Sequence, residues 1–164
     1  MCPDSLQQRT FRTATADDTQ LLGRALAARL RAGEWLLLSG PLGAGKTTFV
    51  RGLARGLGYD GTVRSPTFTL VATYKTSPML VHADLYRLDE GACVDDLGLD
   101  DLAAEGDAVV VVEWADRFPQ LGVGRNALRV SIDLDDDPGC DVRTLSFARA
   151  AGTSHRLWQE VERL

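Results

Sequence analysis

Apolar positions change spacing along the chain, and the changes outline the elements. Thr10 to Thr13 reads as a short strand. TADDTQLLGRALAARL follows, with Thr15 and Asp18 placed for a helix start, Leu21, Leu22, Leu26 and Leu30 on one apolar face, and Gly33 as the end. EWLLLSG is a short apolar run of the kind that forms a buried parallel strand, and it stops at Gly40. A second helix is expected from near Gly45 through KTTFVRGLARGL, closing at Gly56 to Gly58, where glycine supplies the left-handed backbone of a helix end.

The pattern then becomes extended. Phe68 to Tyr74 and Met79 to Tyr86 read as antiparallel strands joined by a turn with Lys75, Ser77 and Pro78. Asp89 to Leu102 is polar, with Leu97, Leu99 and Leu102 spaced for short helices interrupted by Gly91 and Gly98. Ala108 to Val112, the run AVVVV, ends in Glu113 and has the look of a central strand covered on both faces. Leu128 to Leu134 and Val142 to Phe147 alternate like a hairpin across an Asp/Pro/Gly turn, and Leu157, Trp158, Val161 and Leu164 mark a last amphipathic helix from Ser154. No internal repeat, linker or low-complexity tract interrupts these elements. The 164 residues fall in the usual range of roughly 100 to 200 for one domain, so residues 1–164 are expected to form a single domain with a three-layer core.

Charge narrows the partners. Lys and Arg number 18 against 23 Asp and Glu, a net charge of -5, which disfavours unaided binding to a phosphate backbone; no DNA contact is expected. Cys2, Cys93 and Cys140 contain no C-x-x-C pair and suggest reduced thiols. MCPDSLQQRTFR lacks the apolar core of a signal peptide, and no apolar run approaches the ~20 residues of a membrane span. A cytoplasmic protein without a membrane partner is the expectation.

Between the first apolar strand and the second helix, Gly40, Gly45, Lys46 and Thr47 satisfy G-x-x-x-x-G-K-[ST], in the strand–loop–helix context that phosphate binding requires. The candidate ATP-binding residues are Gly40, Leu42, Gly43, Ala44, Gly45, Lys46, Thr47 and Thr48. Glycines at positions 40, 43 and 45 let backbone N–H groups turn inward around phosphates, and the following helix adds the positive end of its dipole. Lys46 is expected to reach the β and γ phosphates, the Thr47 hydroxyl a bridging Mg²⁺, and Thr48 the α phosphate. The site also needs an acid at a neighbouring strand end. Asp84, on one strand face with Leu80, His82 and Tyr86, and Glu113 are both candidates, at the carboxyl edge where open α/β sheets bind ligands.

Four motifs in order, GPLGAGKTTFVRGL, SPTFTL, HADLYRL and VEW, lie between Leu36 and about Trp114. Together they resemble the TsaE (YjeE) family, the ATPase component of bacterial tRNA threonylcarbamoyladenosine (t6A) biosynthesis. The resemblance implies an α/β fold, a P-loop NTPase-like three-layer sandwich with a mixed, mainly parallel central sheet. It further implies ATP binding with Mg²⁺, weak intrinsic hydrolysis, and work on a TsaD and TsaB complex, with tRNA contacted only indirectly. On this resemblance Lys46, Asp84 and Glu113 are the catalytic residues, and Thr47, Asp84 and Glu113 the metal-side residues. Asp84 is expected as the ligand of the metal or its water and Glu113 as the group orienting the metal shell or attacking water, with the reverse allocation open. Ser65, Pro66 and Thr67 map onto a switch-like segment whose Thr67 hydroxyl would sense the γ phosphate or metal. Trp114 either stacks near the nucleotide or caps the core. Pro41 departs from the acidic residue many members carry after the first glycine, and the chain beyond Trp114 shows no family motif.

Other features favour bland roles. His82 could order the site but a lone histidine is more often structural, and Arg87 could be an arginine finger but more often pairs at the surface. Asp133, Asp135 and Asp137 begin like a calcium loop, yet Pro138 and Thr144 stand where glycine and glutamate are needed, so a hairpin turn is expected. Arg51 and Arg55 form either a partner stripe or a solvated helix face, and Trp158 is expected in the core, with a partner surface as the lesser alternative. Two other functions remain on this reading. One is a small-metabolite or nucleoside kinase, suggested by EWADR but lacking an arginine-rich lid. The other is an ATP-dependent binding module with incidental hydrolysis.

Overall fold

The computed structural model describes residues 7–89, 91–105, 107–135 and 141–164. Seven strands form one sheet: β1 (Gln8–Thr13), β2 (Glu34–Ser39), β3 (Val71–Tyr74), β4 (Met79–Asp84), β5 (Ala108–Glu113), β6 (Asn126–Leu134) and β7 (Arg143–Arg149). Their order is β1-β7-β6-β2-β5-β4-β3. Pairing is parallel through the middle, β6 with β2, β2 with β5 and β5 with β4, and antiparallel toward both edges. Among the described residues four α-helices, α1 (Ala16–Ala27), α2 (Lys46–Gly56), α3 (Leu99–Glu105) and α4 (His155–Glu162), complete the layers.

The valine run explains the layering. Val109 and Val111 of β5 enter a core closed by α1, α2 and α4, whereas Val110 and Val112 enter a second core with Leu99, Phe118 and Leu121. A strand with helices or turns on both faces has no solvent face to encode, so its sequence is continuously apolar. β-Branched side chains also suit the pleated backbone. The expected α/β sandwich with a mixed sheet is therefore present.

α1 opens as expected. The Thr15 hydroxyl accepts from Asp18 N–H at 3.1 Å and the Asp18 carboxylate accepts from Thr15 N–H at 3.0 Å, a reciprocal capping box. Its end and buried face differ from the pattern. The helix closes at Ala27 and not at Gly33, which lies in the following loop at φ 84° and donates to the Ala108 carbonyl. Leu21 is 60% exposed; the inner face carries Thr19, Gly23, Leu26 and Ala27. The cause is the crossing with α2. A Cβ on Gly23 would stand 2.5 Å from the Phe49 carbonyl oxygen, and one on Gly52 2.1 Å from that of Gln20, so two backbones touch where side chains were expected to pack.

The strand expected from Phe68 begins only at Val71. Pro66 to Leu70 is a turn, closed by Leu70 N–H to the Pro66 carbonyl at 2.7 Å with Leu70 at φ 64°, and Phe68 is exposed. β4 correspondingly stops at Asp84, before Tyr86. β6 and β7 pair antiparallel as expected; Asp137, Pro138 and Cys140, where a turn was expected, lie outside the described residues, as does Cys2. α4 is capped by Ser154, whose hydroxyl accepts from Leu157 N–H at 3.1 Å, and buries Trp158 in the core. Among the described residues no helix is long and apolar enough to cross a membrane.

Candidate functional site

β2 delivers its last residue, Ser39, to a loop held open by glycine. Gly40, Gly43 and Gly45 have φ of 135°, 78° and 105°, values that side chains disfavour. Gly40 also passes within 2.2 Å, Cβ-equivalent to oxygen, of the Ile132 carbonyl in β6, so no larger residue fits beneath the loop. Above it the space is free: nothing lies within 4 Å of a Cβ built on Gly43, and only Thr48, at 3.9 Å, near one on Gly45. Gly45 is the N-cap of α2 and provides no side-chain acceptor, which leaves first-turn N–H groups for an anion.

Lys46, 5% exposed, folds along this loop. Its Nζ donates to the carbonyls of Gly40 at 2.6 Å and Pro41 at 2.9 Å, and lies 3.7 Å from the centroid of the Trp114 ring. Burial lowers its pKa from the ordinary lysine value, against the opposing influence of Glu113, Asp84 and Asp116.

The two acids face the loop from adjacent strands. β4 and β5 run parallel with Asp84 and Glu113 as register partners, so the carboxylates emerge side by side at the carboxyl edge. Glu113 accepts the Thr47 hydroxyl at 2.9 Å on Oε1 and 3.2 Å on Oε2, and its Oε1 accepts His82 Nε2 at 2.8 Å. Asp84 Oδ1 accepts Tyr86 N–H at 3.0 Å. The hydroxyls of Ser65 and Thr67 lie against Asp84 Oδ2, that of Thr67 at 2.8 Å, and 2.6 Å from each other. After Glu113 the chain turns through Trp114 at φ 62°, which brings the indole over Lys46 and within 5.0 Å, centroid to centroid, of Tyr86.

These groups line one cavity of about 420 Å³, bounded by residues 42–48 with Arg51, Thr67, Asp84, Glu113 and Trp114. Gly40 is not part of its lining and is tied to it through the carbonyl that holds Lys46. Thr48 also faces an adjoining hollow of about 130 Å³ with Thr19, Asp141 and Arg143. A separate cleft of about 370 Å³ between β6 and the turn at Phe118 contains neither the glycine loop nor either site acid. Chemistry, not size, singles out the first cavity.

Of the residues expected at the site, Leu42, Gly43, Ala44, Gly45, Lys46, Thr47, Thr48, Thr67, Asp84, Glu113 and Trp114 line this cavity, and the Thr67 hydroxyl bonds to Asp84. Arg87 does not line it: its guanidinium lies 4.0 Å from the Phe68 ring centroid. Arg51 donates to the Val63 carbonyl at 3.1 Å, whereas Arg55 borders a different groove beside Leu21, so the two form no common stripe. His82, set aside as structural, is bonded to a site acid; strand parity with Asp84 was its one visible signal. Arg143 reaches back from β7 to donate to the Ala44 carbonyl at 3.2 Å, and Arg117 straps the exit of β4 through the Leu85 and Tyr86 carbonyls. Neither contact has a local pattern that could announce it.

Among the described residues no three His, Cys, Asp or Glu side chains cluster as a metal cage. One hydroxyl and two carboxylates beside an open phosphate cradle are hard oxygen donors, and that set fits Mg²⁺, which keeps waters and shares phosphate oxygens.

The family described as threonylcarbamoyl adenosine biosynthesis protein TsaE matches residues 13–143. The chain belongs to the TsaE family. The tRNA threonylcarbamoyladenosine biosynthesis protein TsaE of Streptomyces coelicolor is 46% identical over 120 residues, covering 70% of this chain and 80% of that protein. The TsaE of Bacillus subtilis is 35% identical over 159 residues, 96% of each. The crystal structure of Bacillus subtilus YdiB superposes with a TM-score of 0.78 at 31% identity over 98% of both chains. TsaE membership assigns the chain to t6A tRNA biosynthesis, and the YdiB likeness spans the region after Trp114 that lacked a motif.

Proposed function

We propose that this chain is a Mg²⁺-dependent ATP-binding and ATP-hydrolysing protein required for t6A modification, acting in the cytoplasm on a TsaD and TsaB complex and reaching tRNA only through those proteins. The observation that carries the reading is the meeting of Lys46 and the glycine loop with Thr47, Asp84 and Glu113 in one cavity.

Lys46 is a buried ammonium resting on two carbonyl oxygens, so phosphate oxygens offer it a stronger, charge-assisted set of acceptors. Glu113 can only accept, so Thr47 donates its proton to the carboxylate and keeps its oxygen lone pairs for a cation. Thr47, Asp84 and Glu113 would hold Mg²⁺, directly or through water, and the ion would supply positive charge against the nucleotide phosphates. Whichever acid is not engaged with the metal can orient the attacking water and take its proton. Slow turnover is supported by Asp84 being occupied by the Ser65 and Thr67 hydroxyls and by Arg87 lying outside the cavity. Exposed Leu42 and Tyr86, both lining the cavity, support a protein partner there.

The test is phosphate release from labelled ATP and Mg²⁺, with and without the TsaD and TsaB homologues. Release that is slow alone and accelerated by the pair supports the proposal; label on a small metabolite would assign a kinase instead. Full t6A formation by a Glu113→Gln protein that binds ATP without cleaving it would assign a binding module.

A further inference from the structure

We propose that His82 is a positioning residue: its Nε2–H fixes the Glu113 carboxylate, and through it the Thr47 hydroxyl, in the arrangement that receives a Mg²⁺–nucleotide. The inference rests on the ATP and Mg²⁺ reading above and extends it to a side chain that does not line the cavity.

His82 is fully buried in β4, among positions that are otherwise apolar. Leu80 precedes it on the same strand face, Val111 is its register partner in β5, and Tyr74 packs with ring centroids 6.4 Å apart. An apolar side chain would fill that space at lower cost, because Nδ1 of His82 is buried without a hydrogen-bond partner among the described residues. Packing therefore does not account for an imidazole here. Among the described residues its one side-chain polar contact is Nε2 to Glu113 Oε1 at 2.8 Å, with both side chains buried.

That contact controls the next one. A glutamate carboxylate sits on three rotatable bonds, and without His82 the single Thr47 proton, divided between Oε1 and Oε2, would be its remaining side-chain tether. With His82 in place, Oε1 is anchored from beneath and Thr47 donates to a fixed acceptor, which turns its lone pairs toward the cavity. Thr47 is the second residue of α2, so its backbone is already set by the helix, and the hydroxyl direction is the remaining freedom.

Two polar substitutions separate this role from simple burial. Gln can place its amide nitrogen near the position of Nε2, whereas Asn reaches only toward that of Nδ1. ATP affinity is measured by calorimetry with and without Mg²⁺ on the full chain. The expected result is that His82→Asn binds ATP without Mg²⁺ as the parent does but loses about tenfold of the Mg²⁺-dependent enhancement, while His82→Gln stays within about threefold of the parent. In hydrolysis, kcat should fall for His82→Asn and recover in His82→Gln. Equal Mg²⁺ enhancement in parent and His82→Asn would overturn the role, and so would a folded His82→Gln protein lacking the enhancement, a result that stands even if His82→Asn does not fold. ATP binding by the parent without any Mg²⁺ enhancement removes this inference while leaving nucleotide binding; absence of ATP binding altogether removes both.

Discussion

Buried ionisable groups occupy both ends of β2, and the two ends treat them differently. At its start Glu34, 3% exposed, accepts from the Arg156 guanidinium and, at 2.8 Å, from Arg31 N–H. Arg156 also donates to the Arg29 carbonyl, and Arg29 pairs with Glu160 at 3.1 Å. Acid meets base throughout this seam between the sheet and α4. Beyond the other end of β2, Lys46, Asp84 and Glu113 are as deeply buried, yet no ion pair joins Lys46 to either acid among the described residues. Lys46 rests on carbonyls and an indole face, and the acids take hydroxyl, amide and imidazole donors. The seam neutralises its charges internally, whereas the site keeps them available for a ligand.

The largest contrast should come from Lys46→Ala. On the proposed function, losing the charge-assisted bonds of Lys46 to two phosphates would be worth about 3–4 kcal/mol, a several-hundredfold loss of ATP affinity by calorimetry. Stability should hold or rise. Burial lowers the Lys46 pKa, so keeping the ammonium charged is a penalty on the folded state below the folded pKa, relieved as pH rises through it and removed at every pH by alanine. A melting temperature that collapsed in this variant would place Lys46 with the seam and end the distinction.

Arg156→Ala should give the opposite result. Removing the base leaves Glu34 buried with one backbone donor, a cost of about 3 kcal/mol in urea denaturation. Nucleotide affinity should stay within about twofold of the parent, because the seam lies at the far end of β2 from the glycine loop. Unchanged stability would show that solvent reaches Glu34 and that the seam is no more self-contained than the site.

Only part of this contrast was legible in the chain. The glycine loop announces itself because phosphate binding imposes fixed spacing, and β2 and β5 because burial on both faces imposes continuous apolarity. Glu113 and Asp84 were visible as strand-end acids, but their pairing depends on parallel register across β4 and β5. Leu21 misled because the α1–α2 crossing is made by Gly23 and Gly52, which hydropathy cannot register. Phe68 misled because Leu70 at φ 64° breaks an otherwise strand-like run. The Lys46–Trp114 contact and the reach of Arg143 to Ala44 join residues far apart in sequence, so no local pattern encodes them.

A third charge pair sharpens the comparison at its weak limit. Arg125 donates to both carboxylate oxygens of Asp100, at 3.0 and 2.6 Å, tying α3 to the start of β6 with the geometry of a fork on a carboxylate. Unlike Glu34, the Asp100 side chain is 57% exposed. The Arg125 hydrogen bonds lower the Asp100 pKa from its ordinary 3.8, against a smaller opposing effect of burial. A depressed carboxylate pKa contributes stability that is fully present above the unfolded value and lost as pH falls through the folded one. Asp100→Asn should therefore be less stable than the parent at neutral pH by under about 1 kcal/mol, since water and salt screen an exposed pair. Thermal melts of the two proteins should begin to converge below the ordinary value of 3.8 and meet only as pH falls through the lowered folded value, where the folded carboxylate becomes protonated. A gap at neutral pH as large as that of Arg156→Ala would mean that bidentate geometry, and not burial, decides what an ion pair contributes in this fold.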